Sequence, residues 1–110
     1  MAGKREERIA ENETLFRGAN ERMRDWEERD RDDATELYFC ECADTECKEK
    51  VRLRAADYER VRSDSSCFFV VPGHEIPDVE TVVESHDGWT VIRKDPDVQE
   101  IVEETDPRRK

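Results

Sequence analysis

Three closely spaced cysteines and a histidine set on a proline-glycine break constrain this chain more than any other feature. Cys40, Cys42 and Cys47 form a Cys-x-Cys-x4-Cys run, Cys67 opens an apolar stretch, and His74 directly follows Pro72-Gly73. An even number of thiols in a small chain can close two disulfides, but that needs an oxidising compartment. A Cys-x-Cys pair is also too tight for an unstrained mutual bridge. Clustered thiols in a reducing compartment instead hold a metal. Zinc takes four ligands in a tetrahedron, with thiolate sulfurs at about 2.3 Å and an imidazole nitrogen at about 2.0–2.1 Å. A turn bearing three cysteines supplies three thiolates, and the Pro72-Gly73 break can aim His74 at the fourth position. The expectation is a structural Zn2+ held by Cys40, Cys42, Cys47 and His74, with no position left for water or substrate. Cys67 and His86 are alternatives as fourth ligand. Cys67 would complete an all-cysteine set, which also admits an iron–sulfur cluster. Free structural thiols are the remaining reading.

Composition shows why such a staple matters. Of 110 residues, 30 are acidic and 19 basic, a net charge of −11. Charged residues make up 45% and apolar ones 35%, against about 25% charged in an ordinary domain. That apolar content builds one core. A core of this size contributes only a few kcal/mol, whereas a structural zinc contributes about 10–16 kcal/mol near neutral pH. No window approaches the roughly 20 apolar residues of a membrane span, and Met1 to Arg8 lacks the apolar segment of a secretory signal. These features predict a cytoplasmic protein with no membrane partner.

The expected fold class is α+β: a small mixed β-sheet of about four strands, short helices and a long charged N-terminal helix, stapled by zinc. Residues 1–33 form the charged amphipathic helix and residues 34–110 the compact zinc-binding domain. Ile9, Phe16, Ala19, Met23 and Trp26 recur at steps of seven, three, four and three, a heptad-like seam predicting a helix over about residues 5–30. The seam can dock on the chain's own sheet or pair two copies as a homodimer, and a largely disordered arm is the remaining reading. Residues 36–42 read as a strand with Cys40 and Cys42 on one face, residues 50–54 as a strand with Val51 and Leu53 inward. A short helix follows over residues 55–62. Cys67-Phe-Phe-Val-Val71, apolar on both faces, is expected as the central strand. From Pro77 the positions Val79, Val82, Val83 and His86 share one helical face. Asp87-Gly88 is a turn, residues 89–93 a last strand, residues 97–104 a helix burying Val98, Ile101 and Val102, and residues 105–110 a polar tail.

Several of these runs carry a resemblance. Phe39-Cys-Glu-Cys42 with Cys47, Tyr58-Glu-Arg-Val-Arg62, Phe69-Val-Val-Pro-Gly-His-Glu75, Thr105-Asp-Pro-Arg108 and Asn20-Glu21-Arg22 resemble a group of small, acidic, mostly actinobacterial proteins. The resemblance implies that Cys40, Cys42, Cys47 and His74 belong together and that Cys67 lies outside the set. It implies nothing about function.

Three function classes are open to such a chain. The favoured one is a small cytosolic, zinc-stabilised, non-catalytic protein-interaction or regulatory module. Its net charge would steer it to a partner protein with a basic surface. The second is an RNA- or DNA-binding accessory role for the basic strand. Lys48, Lys50, Arg52 and Arg54 recur at every second residue and offer contacts to phosphate or to an acidic partner, although the net charge repels nucleic acid at long range. The third is a thiol-dependent enzyme pairing Cys67 with His74 or His86. A thiol in a buried strand has a raised pKa and is inert, and the glycine patterns of nucleotide-binding loops are absent.

Overall fold

The alternation in Lys50-Val-Arg-Leu-Arg54 produces the strand it predicts, burying Val51 and Leu53 and exposing the residues between them. In the computed structural model, which describes residues 3–26 and 35–108, the elements are α1 (Lys4–Trp26), β1 (Thr35–Phe39), β2 (Lys50–Arg54), α2 (Ala55–Arg62), β3 (Cys67–Val70), β4 (Glu80–His86), β5 (Trp89–Lys94) and α3 (Pro96–Glu104). The architecture mixes helices and strands, as expected, but there is no single mixed sheet. The strands form two antiparallel sheets, β1-β2 and β3-β5-β4. From β3 the chain crosses to the far edge at β4 and returns as β5 into the middle place, so every hydrogen-bonded pair is antiparallel.

The segment from Pro77 to His86 is not the expected helix. Residues 80–86 form β4, which pairs with β5 through the two-residue turn Asp87-Gly88. Thr81, Val82 and Val83 are β-branched and stiff in a helix, and an Asp-Gly step is a strong hairpin signal. Gly88 takes φ +85°, which the turn requires. The register shifts between Val82 and Glu84, a bulge that leaves Val82 and Val83 42% and 40% exposed.

The apolar run at Cys67 is likewise displaced from its expected central place. β5 is the central strand and β3 lies at the edge. All four β3 residues are nevertheless buried, because other groups cover that edge. The Glu41 N–H donates to the Phe69 carbonyl at 2.9 Å, and Arg62 Nη2 donates to the Cys67 carbonyl at 3.0 Å. Two apolar clusters result from the alternation of β3. Phe69 packs with Tyr38, Tyr58, Leu53 and Val91, while Phe68 and Val70 pack with Ile92, Val98 and Val102.

Helix α1 lies against α3 and β1, and what it buries is mostly polar. Ile9 and Ala10 are buried, and Glu13, Arg17, Asn20, Glu21 and Arg24 continue inward at helical spacing. Among the described side chains of the expected seam only Ile9 reaches full burial. Phe16, Ala19 and Met23 are half-buried on its flank, Phe16 with its ring 6.4 Å from Phe39. The Trp26 side chain lies outside the described residues. The polar residues face inward because partners await them. Arg17 donates to the Ser65 and Val102 carbonyls at 2.7 Å. Asn20 bridges the Phe39 carbonyl and the Glu41 carboxylate at 2.9 Å. Nor is the C-terminal segment a free polar tail: Asp106 is buried, and Arg108 donates to Glu59 at 2.9 Å and pairs with Glu21.

Glu13 makes this interface pH-dependent. Lys94 Nζ stands 2.7 Å from Glu13 Oε1 and 2.8 Å from Glu80 Oε1, all three side chains fully enclosed. Two carboxylates thus share one ammonium. Burial pushes the Glu13 carboxyl up to about 9, Lys94 opposing and Glu80 adding to the push. Neither Glu13 oxygen accepts a well-aligned hydrogen bond among the described residues, which suits a neutral carboxyl. The unfolded pKa is 4.5, so the folded state holds the proton more tightly. This contribution to stability is complete below pH 4.5 and is lost as the pH rises through about 9. Unfolding measured against pH should show stability falling across that window, with a shallower fall in Glu13→Gln. Parallel profiles for the two proteins would refute the assignment.

Candidate metal centre

Strand β1 ends at Phe39, short of the predicted Cys42, and the cysteines lead out of the sheet while keeping its alternation. The Cys40 N–H still donates to the Glu49 carbonyl at 3.2 Å. Cys40 and Cys42 face one side, and Glu41 faces the other, where Arg62 donates to it at 2.6 and 3.0 Å. The chain then turns at Asp44. The Asp44 carboxylate accepts the Glu46 N–H and its carbonyl the Cys47 N–H, at 2.9 and 3.0 Å, which returns Cys47 towards Cys40. Asn12 of α1 holds this loop through the Ala43 carbonyl at 3.0 Å.

The fourth group arrives from the far side of the chain. After β3 the backbone turns at Pro72-Gly73, with Gly73 at φ +96°, a region that disfavours a side chain. The His74 N–H closes that turn on the Val71 carbonyl at 2.9 Å. His74 Nδ1 then lies 3.5 Å from Cys40 Sγ and 3.8 Å from Cys47 Sγ. The ligand atoms of Cys40, Cys42, Cys47 and His74 all lie within 4.8 Å of one another, close enough to hold a metal ion.

Surrounding groups orient the set. His74 Nε2 is 2.7 Å from the Glu49 carboxylate; a hydrogen on Nε2 donated to Glu49 leaves the Nδ1 lone pair facing the sulfurs. The Val71 N–H donates to Cys40 Sγ at 3.2 Å, which favours a thiolate there once a metal is bound. Among the thiols themselves, the hydrogen bond from Cys40 pulls Cys42 down to about 5, against its burial. The same bond, with burial, pushes Cys40 up, and burial pushes Cys47 up. Glu49 has no sequence signature, being one of 30 acidic residues in a chain full of them.

The alternative ligands lie elsewhere. Cys67 is buried in an apolar cluster and His86 ends β4, its ring stacked on Trp89 at 4.0 Å and its Nε2 2.7 Å from Glu84. All four cysteines are free. Burial raises the Cys67 thiol above its ordinary range, so iodoacetamide at neutral pH should leave Cys67 unmodified in the folded chain, and Cys67→Ala should keep the metal content of the parent. Rapid alkylation of Cys67 would reopen the thiol-enzyme reading.

The basic strand is intact as a surface. Lys48, Lys50, Arg52 and Arg54 are all exposed, and Lys50 Nζ lies 4.7 Å over the Phe39 ring. No helix among the described residues is long and apolar enough to cross a membrane. No family model, curated protein or solved structure matches this chain.

Proposed function

We propose that this chain is a zinc-stapled, non-catalytic protein-interaction module. The observation that carries the reading is the convergence of three thiol sulfurs and one imidazole nitrogen from two distant turns, with a carboxylate behind the imidazole. Zinc bonds of about 2.3 and 2.0–2.1 Å in a tetrahedron put sulfur and nitrogen about 3.5 Å apart, matching the 3.5 Å between Cys40 Sγ and His74 Nδ1. A donor set of three thiolates and one imidazole suits zinc better than calcium or magnesium, which take oxygen ligands. Four protein ligands leave the ion no open position for water, so it holds the turns together and does not polarise a substrate.

The module reading follows from what surrounds the staple. The −11 charge favours a partner with a basic surface over most of the molecule, with the exposed cations of β2 as the local exception.

Elemental analysis with native mass spectrometry, followed by cobalt substitution, tests the zinc assignment. One zinc per chain and the visible spectrum of tetrahedral, thiolate-rich cobalt are expected. A folded chain that carries no metal, or a cobalt spectrum with an exchangeable water ligand, would refute it.

A further inference from the structure

Among the described residues strand β2 pairs with β1 alone, which leaves its other side as a sheet edge. The ladder determines which residues own that edge. The bond from the Cys40 N–H to the Glu49 carbonyl makes 40 and 49 a hydrogen-bonded pair. Antiparallel pairs alternate between bonded and non-bonded, so Phe39/Lys50, Leu37/Arg52 and Thr35/Arg54 are the non-bonded pairs. The N–H and C=O groups of Lys50 and Arg52 and the N–H of Arg54 therefore point away from β1, along the open edge, while the Arg54 carbonyl, at the N-cap of α2, takes that helix's first bond.

These same three residues carry exposed cations. Neither they nor Lys48, which extends the row, make an ion pair among the described residues. The contrast is with Arg60, Arg62, Lys94 and Arg108, each held by a carboxylate. In a chain with 30 acidic groups, one strand carries cations without a carboxylate partner among the described residues, and Lys50 and Arg52 turn their main-chain groups to the same edge.

We propose that this edge binds an extended acidic peptide segment of a partner protein as an added strand. The inference rests on the interaction-module reading and names the chemistry of the partner. The incoming backbone would pair with the free groups of Lys50, Arg52 and Arg54. A strand lies about 4.8 Å from its neighbour and shares its two-residue period, so alternate carboxylates face the cations in register. Residues between them fall on the face that carries Val51 and Leu53, which suits acidic–apolar alternation. Cations on an edge deter pairing with a second copy of the same strand; an acidic strand is the occupant they admit. A single-stranded nucleic acid could use the cations but has no amide ladder for the edge. As a long polyanion it is also opposed by the net charge.

The test uses the zinc-loaded chain and a fluorescent peptide of about eight residues alternating glutamate and valine. It is followed by anisotropy at low salt and by amide hydrogen exchange. Saturable binding is expected, with slower exchange at the Lys50, Arg52 and Arg54 amides. Lys50→Glu/Arg52→Glu should weaken binding about tenfold or more, as should N-methylation of alternate peptide amides. Zinc content and circular dichroism of that variant should match the parent, which separates failure of this proposal from failure of the zinc reading. Absent binding, unchanged exchange at these amides, or full affinity of the N-methylated peptide overturns strand addition. A single-stranded oligouridylate that binds more tightly than the peptide, and is lost in the same variant, overturns it in favour of nucleic acid.

Discussion

Cys47→Ser and His74→Ala should each abolish stoichiometric zinc binding and unfold the chain at 25 °C, the largest effect expected of any point change here. The reason is one of scale. Structural zinc contributes about 10–16 kcal/mol at neutral pH, while a whole domain is stable by about 5–15 kcal/mol. A metal on these four groups would join the 40–47 turn to the turn after β3, and both apolar clusters depend on how β3 is held. A chelator in excess should therefore remove helical and strand signal together in circular dichroism, and returning zinc should restore both. Glu49→Ala grades the effect. Losing the carboxylate at His74 Nε2 should lower zinc affinity about 10–100-fold without loss of fold at saturating metal. A Cys47→Ser protein with the parent's spectrum and melting temperature would show that the thiols are not a staple.

The second large effect lies one residue from the candidate metal ligands, on the opposite side of the chain. Glu41 is fully buried between Cys40 and Cys42. It takes both Arg62 bonds, the Asn20 amide at 2.9 Å and the Phe69 N–H at 3.3 Å. Arg62 is itself enclosed, its guanidinium 5.3 and 5.4 Å from the Tyr58 and Phe69 ring centres. Its charged form is reinforced by Glu41 despite the burial that opposes it. Glu41→Ala leaves that guanidinium in the interior with no carboxylate, a change that costs about 3–5 kcal/mol. Urea unfolding at saturating zinc should show a loss of this size. Arg62→Met should be comparably damaging, whereas Glu41→Leu/Arg62→Met together should be less damaging than the sum, because apolar replacement of a buried pair removes both desolvation costs. Simple additivity in that cycle would mean that the two side chains are not energetically coupled.

Position 41 also shows where the sequence stops being informative. Alternation shows that Cys40 and Cys42 share a side and that Glu41 takes the other. It does not reveal that this other side is interior, because the compensating cation is 21 residues away. The same limit explains α1. Its apolar seam suggests a buried face through Phe16 and Met23, but Glu13, Arg17, Asn20 and Glu21 are buried instead, each matched by a group from another element. Apolar periodicity measures where burial is favourable without help, and it misses polar residues whose partners lie far along the chain. At β4 the competing signals are both local. Valines at helical spacing suggest a helix face, whereas Asp87-Gly88 and the β-branched run favour a hairpin.

While the structure chose His74 over Cys67 and His86, the sequence by itself determined the three clustered thiols of the candidate metal centre, the strand β2 and the helices α2 and α3. Each rests on short-range causes: thiol spacing, strict alternation, an apolar stripe at 98 and 102. Tertiary structure alone decided the Glu49 support behind His74, the division into two antiparallel sheets and the buried charge network beneath α1. An ionised or polar side chain can be buried only where complementary groups meet it, and the sequence does not say which distant groups will meet.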